Sequence, residues 1–206
     1  MDSKKVERVS YPVKSIKAVI EELKELPGVG PRLAERIVDY IIEQGIPYIE
    51  KFANLFYELS RKMKLCSMCF GYSEQQLCSI CTDSKKVKNI LCIVQYPRDI
   101  LKIESLNEYN GLYYVLGNVE PERIENAERI KILHERIRRN NIREVILALG
   151  TDFESSFIAT YIVEKLLLPN KVKVSQLAIG VPYGYPLEFV DTNTLTFAFR
   201  AKKYIN

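Results

Sequence analysis

Four of the chain's five cysteines fall within sixteen residues, as Cys66-Ser-Met-Cys69, eight intervening residues, then Cys78-Ser-Ile-Cys81. No other stretch constrains the fold as tightly. Two Cys-x-x-Cys knuckles at this separation can wrap one tetrahedral Zn²⁺ with four thiolates, and soft sulfur ligands suit Zn²⁺ or an iron–sulfur centre best. The intervening loop holds Gly71 and Ser73 among polar residues, as a small ribbon needs to turn back on itself. Such a module is too small to carry a core and folds because a metal holds it. A closed four-thiolate site leaves no position for water, so the expected role is structural. The N-terminal Met-Asp-Ser-Lys-Lys lacks the apolar core of a signal peptide, and no run approaches the length of a membrane span. A cytoplasmic protein is therefore expected, in which the knuckle cysteines ligate metal and do not form disulfides. Cys92 lies in the apolar run Ile90–Val94 and reads as a core strand residue.

Residues 14–26 carry helical periodicity, with Ile16, Val19, Ile20 and Leu23 on one face. A second helix follows Leu26-Pro-Gly-Val-Gly-Pro-Arg32, with Ala34, Ile37, Val38 and Ile41 as its stripe. Gly28 and Gly30 permit backbone geometry that a side chain would block and let the chain approach a surface closely. Pro31 suits the first turn of a helix whose unpaired N–H groups can bind an anion, and Arg32 adds a cation beside them. Such a pocket would hold a nucleic-acid phosphate without reading sequence. An ordinary turn between packed helices is the competing reading. A third helix spans Ile46 to Lys64, with Phe52, Leu55, Phe56 and Leu59 expected in the core. Its basic end (Arg61, Lys62, Lys64) and Lys85, Lys86 and Lys88 are either solvated surface or an extension of one positive track. The net charge of +4 is mild, so it admits nucleic acid without proving it.

Strands are expected at Ile90–Val94, Tyr113–Leu116, Val145–Leu149 and Val172–Ile179, and helices over 123–140 and Ser155–Leu168. This alternation implies a mostly parallel sheet covered on both faces, with ligand sites at the strands' carboxyl ends. Those ends are Gln95 and the Gly150-Thr-Asp152-Phe-Glu154 stretch. A last helix is expected around Thr194 to Ala201. His134, in a charged helix, reads as solvated surface.

A Gly-Val-Gly hairpin, a four-cysteine ribbon and an α/β sheet, in this order, resemble the bacterial RecR family of recombination mediators. The likeness rests on Leu26–Arg32, the Cys66/Cys69/Cys78/Cys81 spacing, Val115-Leu-Gly117, Glu144-Val-Ile-Leu-Ala148 and the tail from Gly180 to Leu195. It implies a helix-hairpin-helix domain at 1–64, a zinc-finger ribbon at 65–84, a Toprim domain at 85–180 and a C-terminal tail and helix at 181–206. It also implies one structural Zn²⁺ on Cys66, Cys69, Cys78 and Cys81. DNA contacts are implied for Gly28, Gly30, Arg32, Lys62 and Lys64, and partner contacts for Asp152 and Glu154. The implied partners are DNA, single- or double-stranded, RecO and RecF, within a homo-oligomer (tetramer or dimer) that can encircle DNA without catalysis. This chain departs from the family pattern where the first Toprim strand ends in Gln95 instead of Glu. Ser156 also replaces a second glutamate, and Asn118–Asn126 replaces a glycine-rich segment. A Mg²⁺-dependent Toprim enzyme, nicking or primase-like, is the alternative. A third possibility is an assembly protein whose hairpin packs on another subunit.

Overall fold

The computed structural model describes residues 13–203, and the chain divides between Lys62 and Met63 into two compact units. The first five residues, read above for a leader, lie outside the described residues.

The first unit contains three helices: α1 (Lys14–Lys24), α2 (Pro31–Glu43) and α3 (Ile46–Lys62). Its small core is Ile20, Ala34 and Val38, with Ile16, Leu23 and Val29 packed against it. Val19 points outward instead, because it lies at the rim of the α1 stripe and is 48% exposed. The expected core residues of α3 are also exposed: Phe52 at 40%, Leu55 at 58%, Phe56 at 61% and Leu59 at 58%. The tight packing is between α1 and α2, and no described residue in this unit buries the α3 face. Tyr48 instead stacks on Phe52, and Phe52 meets Phe56 edge-on, along the helix, with ring centroids 5.9 and 5.3 Å apart.

The second unit opens with an antiparallel ribbon, β1 (Lys64–Leu65) against β2 (Tyr72–Ser73), followed by the short α4 (Ser79–Thr82). A four-stranded sheet follows, built from β3 (Val87–Val94), β4 (Gly111–Val115), β5 (Glu144–Ala148) and β6 (Lys173–Gln176). Every pairing is parallel and the order is β4-β3-β5-β6. Parallel strands buried on both faces read as continuous apolar runs, as Leu91–Val94 and Leu112–Leu116 do. On one face, Leu91, Ile93, Leu112, Tyr114, Val145 and Leu147 meet Ile130, Leu133 and Ile137 of α6 (Glu128–Arg139) and Ile158 of α7 (Phe153–Tyr161). The last turns of α7 widen to a π-helix over Ile162–Leu167, which keeps Ile162, Leu166 and Leu167 buried. On the other face, Cys92, Val94, Tyr113 and Val115 pack on Ile100 of α5 (Pro97–Glu104), with Ile80 of the ribbon beside them. Cys92 is thus a core residue, 2% exposed.

Several elements differ from the sequence expectation. The helix α5 is additional; Pro97 sits in its first turn, and Tyr96 N–H donates to the Asp99 carboxylate. The stretch 123–140 is not one helix: a 3₁₀ turn over Pro121–Asn126 breaks at Ala127, whose extended backbone starts α6. The strand β6, at the sheet's edge, stops at Gln176, opposite Leu147, because its neighbour β5 ends one residue later at Ala148. The last helix, α8 (Thr192–Arg200), begins two residues earlier than expected, where Asp191 caps it by accepting from Thr194 N–H. No described helix is long and apolar enough to cross a membrane.

Candidate metal centre and nucleic-acid interface

The ribbon brings Cys66, Cys69, Cys78 and Cys81 together, all buried, with ligand atoms within 4.8 Å of one another. Four sulfurs each about 2.3 Å from one tetrahedral ion lie about 3.8 Å apart, so the cluster fits Zn²⁺. Cys69 Sγ and Cys78 Sγ are 3.5 Å apart, far beyond a disulfide bond. Backbone amides point at the sulfurs as a knuckle requires. Gly71 N–H donates to Cys69 Sγ and Cys78 N–H to Cys66 Sγ, each at 3.3 Å. Gly71 sits close against its neighbours: a Cβ would lie 3.0 Å from Ile100 Cδ1 and 3.3 Å from Cys69 Sγ, so those side chains would have to shift by a few tenths of an ångström to admit one. A hydrogen bond from Cys81 holds the Cys69 thiol low, and the same bond raises Cys81. Burial pushes Cys78 up to about 11. A Zn²⁺ bound here would ionise the crowded thiols together, its charge offsetting the cost of bringing thiolates close. Zinc bound there supplies structure, since all four ligand positions come from the protein.

The ribbon is joined to the sheet at its outer strand. Val115 N–H of β4 donates to Cys69 O at 2.8 Å, so the first knuckle occupies an edge that would otherwise stand unpaired. Phe70, in the left-handed region at φ 60°, turns its ring edge-on to Tyr114, with centroids 5.4 Å apart. The Arg129 guanidinium lies 3.8 Å from the Phe70 ring centroid and donates to Val115 O at 2.8 Å. Arg136, seven residues further along α6, donates one nitrogen to both Met68 O (2.7 Å) and Tyr113 O (2.9 Å). It is 6% exposed, and burial lowers its affinity for its proton while the cysteine sulfurs oppose that effect. Sequence reasoning passed over both arginines as part of a charged helix. The available signal was spacing: Arg136 falls on the Leu133/Ile137 face and not on the solvent side. His134, two residues before it, is only partly exposed.

The hairpin residues lie in the first unit, except Lys64. Gly28 needs its residue type, at φ 81°. Gly30 has an ordinary φ of −80°, and a Cβ there would meet nothing within 4 Å. It heads α2, which has Pro31 in its first turn, no side-chain cap and no acidic residue in that turn. Arg32 is exposed in the same turn. Lys62 pairs with Glu58 on α3. Lys64 is exposed on β1, in the second unit.

At the carboxyl edge of the sheet, Gln95, Arg98, Asp99, Glu120, Gly150 and Glu154 line a cleft of about 740 Å³. Gln95 Nε2 donates to Gly117 O at 2.7 Å while Gly117 N–H donates to Gln95 O at 2.9 Å, a clasp that a glutamate could not complete. Asp152 is occupied as the cap of α7, accepting from Ser155 N–H at 2.9 Å and Ser155 Oγ at 2.7 Å. Those bonds hold its carboxyl below the usual range. Glu154, in the first turn of α7, is exposed.

Two family models match the sequence of the second unit. The Toprim domain model matches residues 89–178, which contain the parallel sheet except the first two residues of β3. The model of the RecR four-cysteine zinc finger domain matches residues 63–83, which contain all four ligands. The chain is similar to recombination protein RecR of Chloroherpeton thalassium, 34% identical over 201 residues that cover 93% of this chain and 98% of that one. A four-cysteine zinc ribbon docked on the edge of a Toprim sheet, matched along nearly its whole length by such a relative, places this chain in the RecR family.

Proposed function

We propose that the protein is a non-catalytic DNA-binding recombination mediator, a clamp that acts with RecO and RecF to load recombinase onto single-stranded DNA. The observation that carries this reading is the head of α2. Gly30 has no internal reason to be glycine, yet it stands before a helix end with neither cap nor acidic residue and with exposed Arg32 beside it. An aspartate accepts from an N–H of the first turn in α7 and α8, whereas α1, like α2, has no side-chain cap and no acidic residue in its first turn, so what marks α2 is the glycine approach with exposed Arg32 beside it. An open, positively polarised helix end with a bare backbone approach suits a phosphate. Gly28, Gly30, Arg32, Lys62 and Lys64 are the proposed DNA contacts, of which Lys62 must exchange Glu58 for phosphate.

On this reading residues 1–64 carry DNA contacts, 65–84 the ribbon, 85–180 the Toprim body and 181–206 a tail that meets partners. The protein works in the cytoplasm on the nucleoid. The apolar α3 face, exposed at Leu55, Phe56 and Leu59, supports assembly with further copies into a homo-oligomer, dimer or tetramer. Glu154 is the proposed main contact for RecO; Asp152, engaged with Ser155, shapes the loop that presents it. The carboxyl edge favours binding over Mg²⁺ catalysis, because Gln95 contributes an amide and Asp152 is spent on the cap. Phosphoryl transfer on metal needs several carboxylates converging on the ions. The test is incubation with supercoiled DNA and Mg²⁺. Retention of DNA without nicking is expected, whereas nicking abolished by Glu154→Gln would overturn the reading in favour of a Toprim enzyme.

A further inference from the structure

The guanidinium of Arg136 is buried without a carboxylate partner among the described residues. It is 6% exposed, none of their ion pairs involves it, and its Nε and second terminal nitrogen have no hydrogen-bond acceptor there. A buried cation in that state is strongly unfavourable unless an anion compensates it. Its acceptors among the described residues are two carbonyls, Met68 O between the ligands of the first knuckle and Tyr113 O on the outer edge of β4. The Tyr114 ring face, 5.8 Å from the guanidinium carbon, adds weak support. Zinc held by four thiolates leaves an anionic centre, and that centre lies on the knuckle to which Arg136 is bonded.

We propose that Arg136 is a positioning residue for the zinc centre: it supplies the counter-charge of the tetrathiolate and ties the first knuckle to the outer strand of the sheet. Partners outside a metal's own ligands fix ligand orientation and tune affinity, and their loss costs about 10–100-fold in metal binding. The assignment also explains why a charged side chain occupies the face of α6 that otherwise carries Ile130, Leu133 and Ile137. Arg129, one heptad earlier, holds Phe70 and Val115 O but not the knuckle carbonyl, so it fastens the same junction without serving the metal.

The test is competition for zinc between the full-length protein and a chromophoric chelator. Arg136→Met is expected to bind zinc about 10–100-fold more weakly than the parent protein. Arg136→Lys, which keeps the charge, is expected to fall between the two. Parental affinity in Arg136→Met, or equal weakening in both variants, would overturn the proposal. Should Arg136→Met fail to fold, the same competition is read on Arg136→Lys beside Arg129→Lys, which loosens the same junction without touching the knuckle carbonyl. Weaker zinc binding in the first and parental binding in the second is expected. Equal zinc affinity in the two variants would sink the proposal.

Discussion

Replacing Cys69 by serine tests how far the ribbon depends on its metal. The contacts that fasten the first knuckle to the sheet can be weighed individually. Val115 N–H to Cys69 O and the Arg136 bond to Met68 O contribute about 1 kcal/mol each, the latter somewhat more for its charge. Arg129 over Phe70 and the edge-on Tyr114 contact add roughly 1–2 and 0.5–1.5 kcal/mol. Together these come to about 5 kcal/mol. Ordering the backbone of residues 66–71 costs about 1.5 kcal/mol per residue, or roughly 9 kcal/mol, before the strain of the left-handed Phe70. The anchor therefore falls a few kcal/mol short, and zinc binding, on the order of 10 kcal/mol in small modules, covers the gap. Cys69→Ser is expected to lose zinc by elemental analysis and to become protease-sensitive near residue 70, while far-UV circular dichroism retains most of its helical signal. A zinc-free variant as resistant around residue 70 as the parent would refute this weighing.

Other outcomes follow from the same contacts. Phe70→Ala should destabilise the protein by about 2 kcal/mol, seen as a lower denaturation midpoint, through loss of the Arg129 and Tyr114 contacts. Phe70→Gly should be no worse, because glycine accepts φ 60° without strain. Burial pushes the Cys92 thiol up to about 12, so thiol alkylation of the native protein at pH 8 should leave Cys92 unmodified by mass spectrometry. The folded state keeps that proton when the unfolded chain has lost it, so this contribution is full below about pH 8.5. It declines by up to about 1.4 kcal/mol per pH unit until pH reaches about 12, and denaturant titrations of Cys92→Ala should show a shallower alkaline loss. The Asp191 carboxyl is held low by the Thr194 hydroxyl and amide, so its capping is present above the ordinary aspartate range and lost as pH falls through the lowered value. The Thr194 amide resonance should follow that titration and should not move in Asp191→Ala.

The sheet was legible because β4 and the second half of β3 are buried on both faces and stand as uninterrupted apolar runs, and the metal centre because ligand spacing alone nearly determines it. The helix α5 was missed although Pro97 and Asp99 are ordinary helix-start signals, since only Ile100 of its short span is fully buried. The role of Gln95 was hidden because it depends on Gly117, twenty-two residues away, turning its carbonyl back. Arg136 was illegible for the same reason: its acceptors come from a knuckle and a strand that only the fold brings together. The α3 stripe misled because helical periodicity identifies an apolar face without naming what covers it.

The most direct measurement of the central claim is the salt dependence of binding to a labelled single-stranded oligonucleotide. If the head of α2 grips phosphate, the logarithm of affinity falls linearly with the logarithm of salt concentration, and Arg32→Ala with Lys64→Ala lowers the slope by about 0.7 for each lost phosphate contact. Parental affinity and an unchanged slope in that double variant would contradict the account.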